Sequence, residues 1–335
     1  WPLCGPSRAS LFTGCGPLTT ERFNNKPFFR EFRRRAPAGF RSLPEHFAAS
    51  GWTSFATGWV YHDDVDPPSW SAGHALPAPS TERVPEWAQS WLDADALFEW
   101  KAPESHELIR ARLESVKRAS VSREEFRTPE GERAARGPAV EAADVPDEAY
   151  YDGQVAVQAE EFLTGHGSDA PYFLGVGFVA PHTPFRAPSR YWELYDRDEL
   201  QLQPHLEWPR GSEEWMAGDS EPAQYYTTHG YTRPWRPNDE QLRELLHGHY
   251  ATISYIDTLI GRILSAARAR DDWDETIVVF TSDHGFSEGQ HGYWGKHNMW
   301  DASLHVPLIL RPAGEHVGRD EVDRITEHLD IYPSL

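Results

Sequence analysis

Cysteine is nearly absent from this sequence. Cys4 and Cys15 are the only two in 335 residues, so no multi-bridge disulfide scaffold holds the fold. No Asn-x-Ser/Thr triplet occurs, so N-glycosylation points to no secretory route. No apolar run approaches the roughly 18 residues a membrane helix needs, so a membrane span is not expected. Positive charge is scarce. Lys and Arg number 32 against 52 Asp and Glu, a net charge of −20. That sign repels nucleic acid and anionic lipid, and nucleic acid is excluded as a partner. It also slows an anionic substrate unless a cation or a basic pocket reverses it locally. No initiator Met or signal peptide opens the chain, which begins at Trp1, and we expect a fragment or a processed product.

What is present suits a globular fold. Hydrophobic residues make up 39% and charged residues 25%, and the length fits one large domain or two ordinary ones. Residues 41–62 read as a helix, a Gly turn and a strand. Residues 150–163 read as an amphipathic helix, and YFLGVGFV (172–179) as a strand buried on both faces. Residues 240–268 form the clearest helix, with Leu242, Leu245, Leu246, Tyr250, Ile253, Ile256, Ile260 and Leu264 as its stripe. TIVVFTSDHG (276–285) reads as a buried strand and LHVPLILRPAG (304–314) as another strand. Residues 4–14 read as a turn and a helix start. Residues 104–136 are charged and helix-compatible, and the aromatic stretch 197–240 reads as a long loop over a site. Helix, strand and loop in alternation predict an α/β layered fold with a largely parallel or mixed sheet.

Three chemical groups fall at strand ends, where such sheets bind ligands: His62, His182 and the pair Asp283-His284. Asp283 and His284 offer an oxygen and a nitrogen to a divalent cation, and Gly285 lets the backbone turn away. Lys296 lies in HGYWGKHN with His291, Trp294 and His297 around it, which suggests a pocket with His291 and Trp294 on the substrate side. Cys4 stands near a helix start and Arg8, both of which can lower a thiol pKa. A buried, inert cysteine is the competing reading.

Cys4-Gly5-Pro6-Ser7-Arg8, continuing Ala9-Ser10-Leu11-Phe12-Thr13-Gly14, resembles the signature of the sulfatase family. TSDHGFSEGQHGYWGKHNMWDASLHVPLIL resembles its metal-and-lysine region, and APHTPF its Lys-Pro-His-x-Pro-Phe segment. TTERFN, SLPEHFAASGW and ISYIDTLIGRIL are most similar to iduronate-2-sulfatase-like members. The resemblance implies an alkaline-phosphatase-like α/β fold, a central mixed and mostly parallel sheet flanked by helices. It implies one catalytic domain over residues 1–335, with loop-rich insertions at about 63–150 and 197–240. It also implies that the first strand and a C-terminal subdomain lie outside this sequence.

By the same resemblance, Cys4 is converted to formylglycine by a separate formylglycine-generating enzyme. The aldehyde hydrates, one hydroxyl attacks sulfur, and Ca²⁺ neutralises the sulfate oxygens. Asp283, His284 and position 4 would hold the metal. Arg8 would hold the formylglycine hydroxyl, and His182 and Lys296 would grip sulfate and protonate the leaving alcohol. His62 would be the base that restores the aldehyde. The substrate would be a sulfated carbohydrate or small molecule, in a secreted, periplasmic or lysosomal setting. Three departures accompany the match. The family's adjacent aspartates precede the cysteine, and here only three residues do. Trp59 stands where Gly-Lys-x-x-His carries lysine, and Ala180 where Lys-Pro-His does. A phosphonate, phosphate-monoester or choline-sulfate hydrolase and an inactive sulfatase-like binding protein are the alternatives.

Overall fold

The computed structural model describes residues 1–26, 29–62, 65–77, 100–118, 137–167, 169–213, 220–224, 237–314 and 321–335. Its first sheet grows from a local signal. Ser42 and Glu45 form a capping box on the helix Leu43–Ala49: each side chain accepts from the other's backbone N–H. Gly51, at φ 90°, reverses the chain, and strand β1 (Thr53–Gly58) follows. This is the helix, turn and strand expected for residues 41–62.

Strand β1 is the middle of a parallel trio. It pairs with β2 (His74–Ala75) on one side and β4 (Tyr172–Gly177) on the other, in register from Thr53 opposite Tyr172 to Gly58 opposite Gly177. Strands β3 (Val140–Ala143) and β5 (Phe185–Pro188) form a second parallel pair. Strands β6 (Val278–Thr281) and β9 (Leu308–Arg311) pair antiparallel, as do β7 (Ser287–Glu288) and β8 (Trp294–Gly295). The mixed, largely parallel α/β arrangement is therefore as expected.

The helix Tyr151–Gly165 packs on β1 and β4, burying Val155, Ala156, Ala159 and Leu163. Against it and against β5 lies the 30-residue helix Asp239–Arg268. Asn238 and Gln241 cap its start, and Asp239 and Glu240 sit in its first turn, where the helix dipole favours acid. Its buried face runs through Leu242, Leu245, Leu246, Ala251, Thr252, Tyr255, Ile256 and Leu259. The expected stripe drifts off this face: Ile253 is 44% exposed. Small Gly248 and Ala251 take the seam instead, because a Cβ on Gly248 would meet Trp192 at 2.9 Å.

Several further expectations need correction. β4 and β6 are only half-buried, and Ile309 and Leu310 on β9 are exposed. Among the described residues β6 pairs with β9 alone, so each strand has one unpaired edge there. Cys4 is the first residue of the helix Cys4–Thr13, not part of a turn before it. Within 63–150 the described residues include β2, β3 and the helix Pro103–Arg118. Within 104–136, residues 119–136 lie outside the described residues, as do Trp215, Tyr225, Tyr226, Tyr231 and Trp235 of the 197–240 stretch.

Candidate active site

Cys4 and Arg8 are one helical turn apart, so both side chains face the same way. The helix start is held close to a neighbouring segment. Gly5 N–H donates to Asn25 Oδ1 at 2.9 Å, and a Cβ on Gly5 would lie 2.8 Å from the Asn24 carbonyl. Only glycine permits that approach.

Facing this turn, Asp283 and His284 emerge just past the end of β6. Arg8 Nε donates to Asp283 Oδ2 at 2.7 Å, and Cys4 Sγ lies 3.0 Å from His284 Nε2. His284 Nδ1 sits 2.8 Å from the Gly285 carbonyl and donates its proton there, which leaves Nε2 as the acceptor for the thiol. Gly285 is required for proximity rather than for a left-handed turn: a Cβ would be 2.1 Å from the Ala302 carbonyl. The Ser7 hydroxyl donates to the Asp283 carbonyl and meets His328 Nδ1 at 2.9 Å, so it pins the Asp283-His284 backbone to the first helix. Ser7 was visible inside the Cys-Gly-Pro-Ser-Arg motif. His328 carried no signal, because no spacing links it to a motif some 320 residues earlier.

The surroundings favour the neutral thiol of Cys4. Cys4 is 3% exposed, and burial first, with the Asp283 charge second, pushes its thiol up to about 12. The helix terminus and Arg8 do not reverse this, because Asp283 takes up the guanidinium. Burial alone would raise the Asp283 carboxyl; Arg8 and His284 outweigh it and hold the group well below the usual carboxylate range. Arg8 also donates to the carbonyls of Trp59 and Val60, and its guanidinium lies 5.7 Å from the Trp59 ring centroid.

A second group of side chains completes the site. The ring of Trp59 packs at 4.9 Å from His62 and at 6.1 Å from His182, forming a wall between the two histidines where the sulfatase resemblance leads one to expect lysine. His182 Nδ1 lies 2.6 Å from the Thr183 carbonyl, and its Nε2 lies 4.0 Å from Glu221. Burial and then the Lys296 charge push the imidazole down to about 4, so it is neutral at pH 7. Lys296 is a buried lysine rather than a solvated one. Its side chain is 3% exposed and ion-paired with Glu221 at 3.0 Å. Two acids in this region carried no motif. Asp152 accepts from the backbone N–H groups of Val179 and Ala180 at 2.7 and 2.9 Å, which fixes the run into His182. Burial pushes its carboxyl up to about 6 against those two bonds. Glu221 arrives from the stretch anticipated as a loop over the site.

His291 and Trp294 do not join this cluster. Trp294 is 1% exposed and packs in the core with Phe185, Leu245 and Leu246, so it has no surface to offer a substrate. His291 stacks edgewise on Trp300 at 4.8 Å, and its backbone has a left-handed φ of 60°.

The depressed His182 has a consequence for stability. Above about pH 6.5 the imidazole is neutral in both the folded and unfolded states. As pH falls from 6.5 toward 4, the unfolded state takes up the proton first and stability drops across that window. Urea midpoints measured from pH 7.5 to 4.5 should fall, and His182→Gln should flatten the slope.

Cys4, Asp283 and His284 bring their ligand atoms within 4.8 Å of one another. A carboxylate and an imidazole fit one side of a divalent-cation site. A Ca²⁺ shell uses 6–8 oxygens, more than these described residues supply.

A family model described as Sulfatase matches residues 2–335, and the chain belongs to the sulfatase family. It is 30% identical to iduronate 2-sulfatase from Homo sapiens over 341 residues, covering 99% of this chain and 55% of that protein. The chain thus spans just over half the length of this relative. Among solved structures it resembles the phosphonate monoester hydrolase of Agrobacterium radiobacter, with TM-score 0.60 and 22% identity, covering 98% of this chain and 63% of that one. It also resembles a 2-O GAG sulfatase, with TM-score 0.58 and 18% identity, covering 99% and 59%. Its fold is that of the sulfatases and alkaline-phosphatase-like hydrolases.

Proposed function

We propose that the protein is a sulfuric ester hydrolase acting on a sulfated sugar, with position 4 as its nucleophile after conversion of Cys4 to formylglycine. One observation carries this reading: a buried, neutral cysteine heads a helix and lies against Asp283, His284 and Arg8. A thiol held at about 12 is a poor nucleophile at neutral pH, so the position needs different chemistry. Formylglycine, as its hydrate, supplies a hydroxyl for attack on sulfur.

The other residues have roles consistent with their surroundings. Asp283 and His284 would hold one side of a divalent cation, which when bound neutralises the sulfate oxygens. Arg8, anchored by Asp283, orients position 4. Lys296 and His182 face the ester oxygens from the opposite side. Neutral His182 binds no anion through its unprotonated Nε2, so it takes up a proton from solvent as negative charge arrives beside it and passes that proton to the leaving alcohol. His62, against Trp59, is the base for release. The aromatic wall of Trp59 suits the apolar face of a sugar ring. Similarity to iduronate 2-sulfatase favours a glycosaminoglycan-type substrate, and a matching compartment would be secreted, periplasmic or lysosomal.

The fold shared with a phosphonate monoester hydrolase supports a second reading. Comparing kcat/KM for an aryl sulfate and an aryl phosphonate separates the two. The proposal expects sulfate to be preferred, and a strong phosphonate preference would sink it.

A further inference from the structure

The contact between Lys296 and Glu221 has no part in the scheme above, yet it joins two buried charges inside the anion-binding region. Both carboxylate oxygens take part. Oε1 lies 3.0 Å and Oε2 3.2 Å from Lys296 Nζ. The Thr183 hydroxyl donates to Oε2 at 3.3 Å, and His182 Nε2 is 4.0 Å from the same oxygen. One carboxylate therefore sits between the two groups assigned to the ester oxygens. Its side chain is 6% exposed, so it offers no surface for a substrate hydroxyl. The surrounding backbone makes room for it: a Cβ on Gly295 would lie 3.2 Å from Glu221 Cγ. Ser220, the preceding residue, accepts the Trp294 N–H at 3.1 Å and ties this turn to the Lys296 segment.

The four charges that act on Cys4 balance, while Asp152 adds a further acid on the Arg8 side. Arg8 and Lys296 contribute two positive charges, Asp283 and Glu221 two negative ones, and all four act on Cys4. His182 and His284 are both held toward the neutral form by burial. Removing the Glu221 charge would leave the protein groups one unit more positive, at the place where the ester oxygens bind.

We propose that Glu221 is a specificity-determining residue that biases this pocket toward singly charged anions over doubly charged ones. The inference rests on the proposed function, in which Lys296 and His182 face the bound anion. A sulfate ester carries one negative charge. Inorganic sulfate carries two, and a phosphate monoester carries about 1.5 to 2 at pH 7. The Glu221 carboxylate repels the second charge more than the first, at short range and out of water. It thereby disfavours phosphate monoesters as substrates. It also weakens retention of free sulfate, the dianion that ester hydrolysis releases.

Binding of two tetrahedral anions tests this without turnover. Inorganic sulfate is a dianion and methanesulfonate a monoanion of similar shape. Calorimetric dissociation constants at pH 7.5 would be compared for the full-length wild type, Glu221→Gln and Glu221→Leu, with melting curves to verify folding. Both charge-removing variants should shift the ratio toward sulfate by about tenfold or more. Glu221→Asp, which keeps the charge, should stay near the wild-type ratio. An equal change for both anions, or the same ratio in Asp as in Gln, would mean that Glu221 only packs the site, and the inference would be wrong. Wild-type protein that binds neither anion would overturn it as well, whereas aryl sulfate turnover decides the proposed function separately.

Discussion

Cys4→Ala should abolish sulfate-ester turnover, by at least about 10³-fold in kcat, while the protein melts close to the wild-type temperature. The small structural effect follows from the site. The Cys4 thiol is a buried group with one side-chain partner, His284 Nε2, and alanine at the same helical position keeps the helix start intact. The large catalytic effect follows from the nucleophile being at this position. Arg8, Lys296 and His182 would still bind the ester, so affinity for the substrate should change much less than kcat. Steady-state kinetics with an aryl sulfate, paired with a melting curve, give both readouts. A variant with wild-type kcat would place the nucleophile elsewhere.

Asp283→Ala should cost both activity and stability. A carboxylate that served only as a metal ligand would leave the fold near intact when removed. The structure changes that expectation. The Asp283 carboxylate is also the partner of Arg8, with side-chain exposures of 15% and 17%. Removing one partner of a buried pair leaves the other charge uncompensated and costs about 3–5 kcal/mol. Urea titration should register a loss of that order, and activity should vanish because both the cation site and the Arg8 anchor are lost. A double variant, Arg8→Met with Asp283→Leu, should recover much of the stability and none of the activity. Equal stability of wild type and Asp283→Ala would show that the pair contributes nothing to the fold.

These two residues also show what was readable in the sequence. Cys4, Arg8, Asp283 and His284 stand in short motifs whose spacing is local, and the structure brings all four together. The helix at 43–49 and strand β1 were legible because Leu43, Phe47 and Ala48 keep helical spacing and a turn glycine separates helix from strand. His182 was legible at a strand end and Lys296 within HGYWGKHN, but the surroundings of both were not. Those are Glu221 and burial, which only the packed structure sets. Glu221 and Asp152 sit outside any motif, and their work consists of accepting bonds from segments distant in sequence. Trp294 misled for the converse reason: its neighbours in sequence line the site while its own side chain points into the core. The buried face of the long helix was misjudged because small residues, Gly248 and Ala251, form the seam there, and a count of large apolar residues overlooks them.

The central claim is that position 4 works as an aldehyde rather than a thiol. The most direct test is mass spectrometry of the peptide spanning residues 1–22, from protein made in a host that possesses the converting enzyme. The account predicts formylglycine at position 4, with Cys15 unchanged in the same peptide as an internal control. An unmodified thiol at Cys4 under those conditions would contradict it.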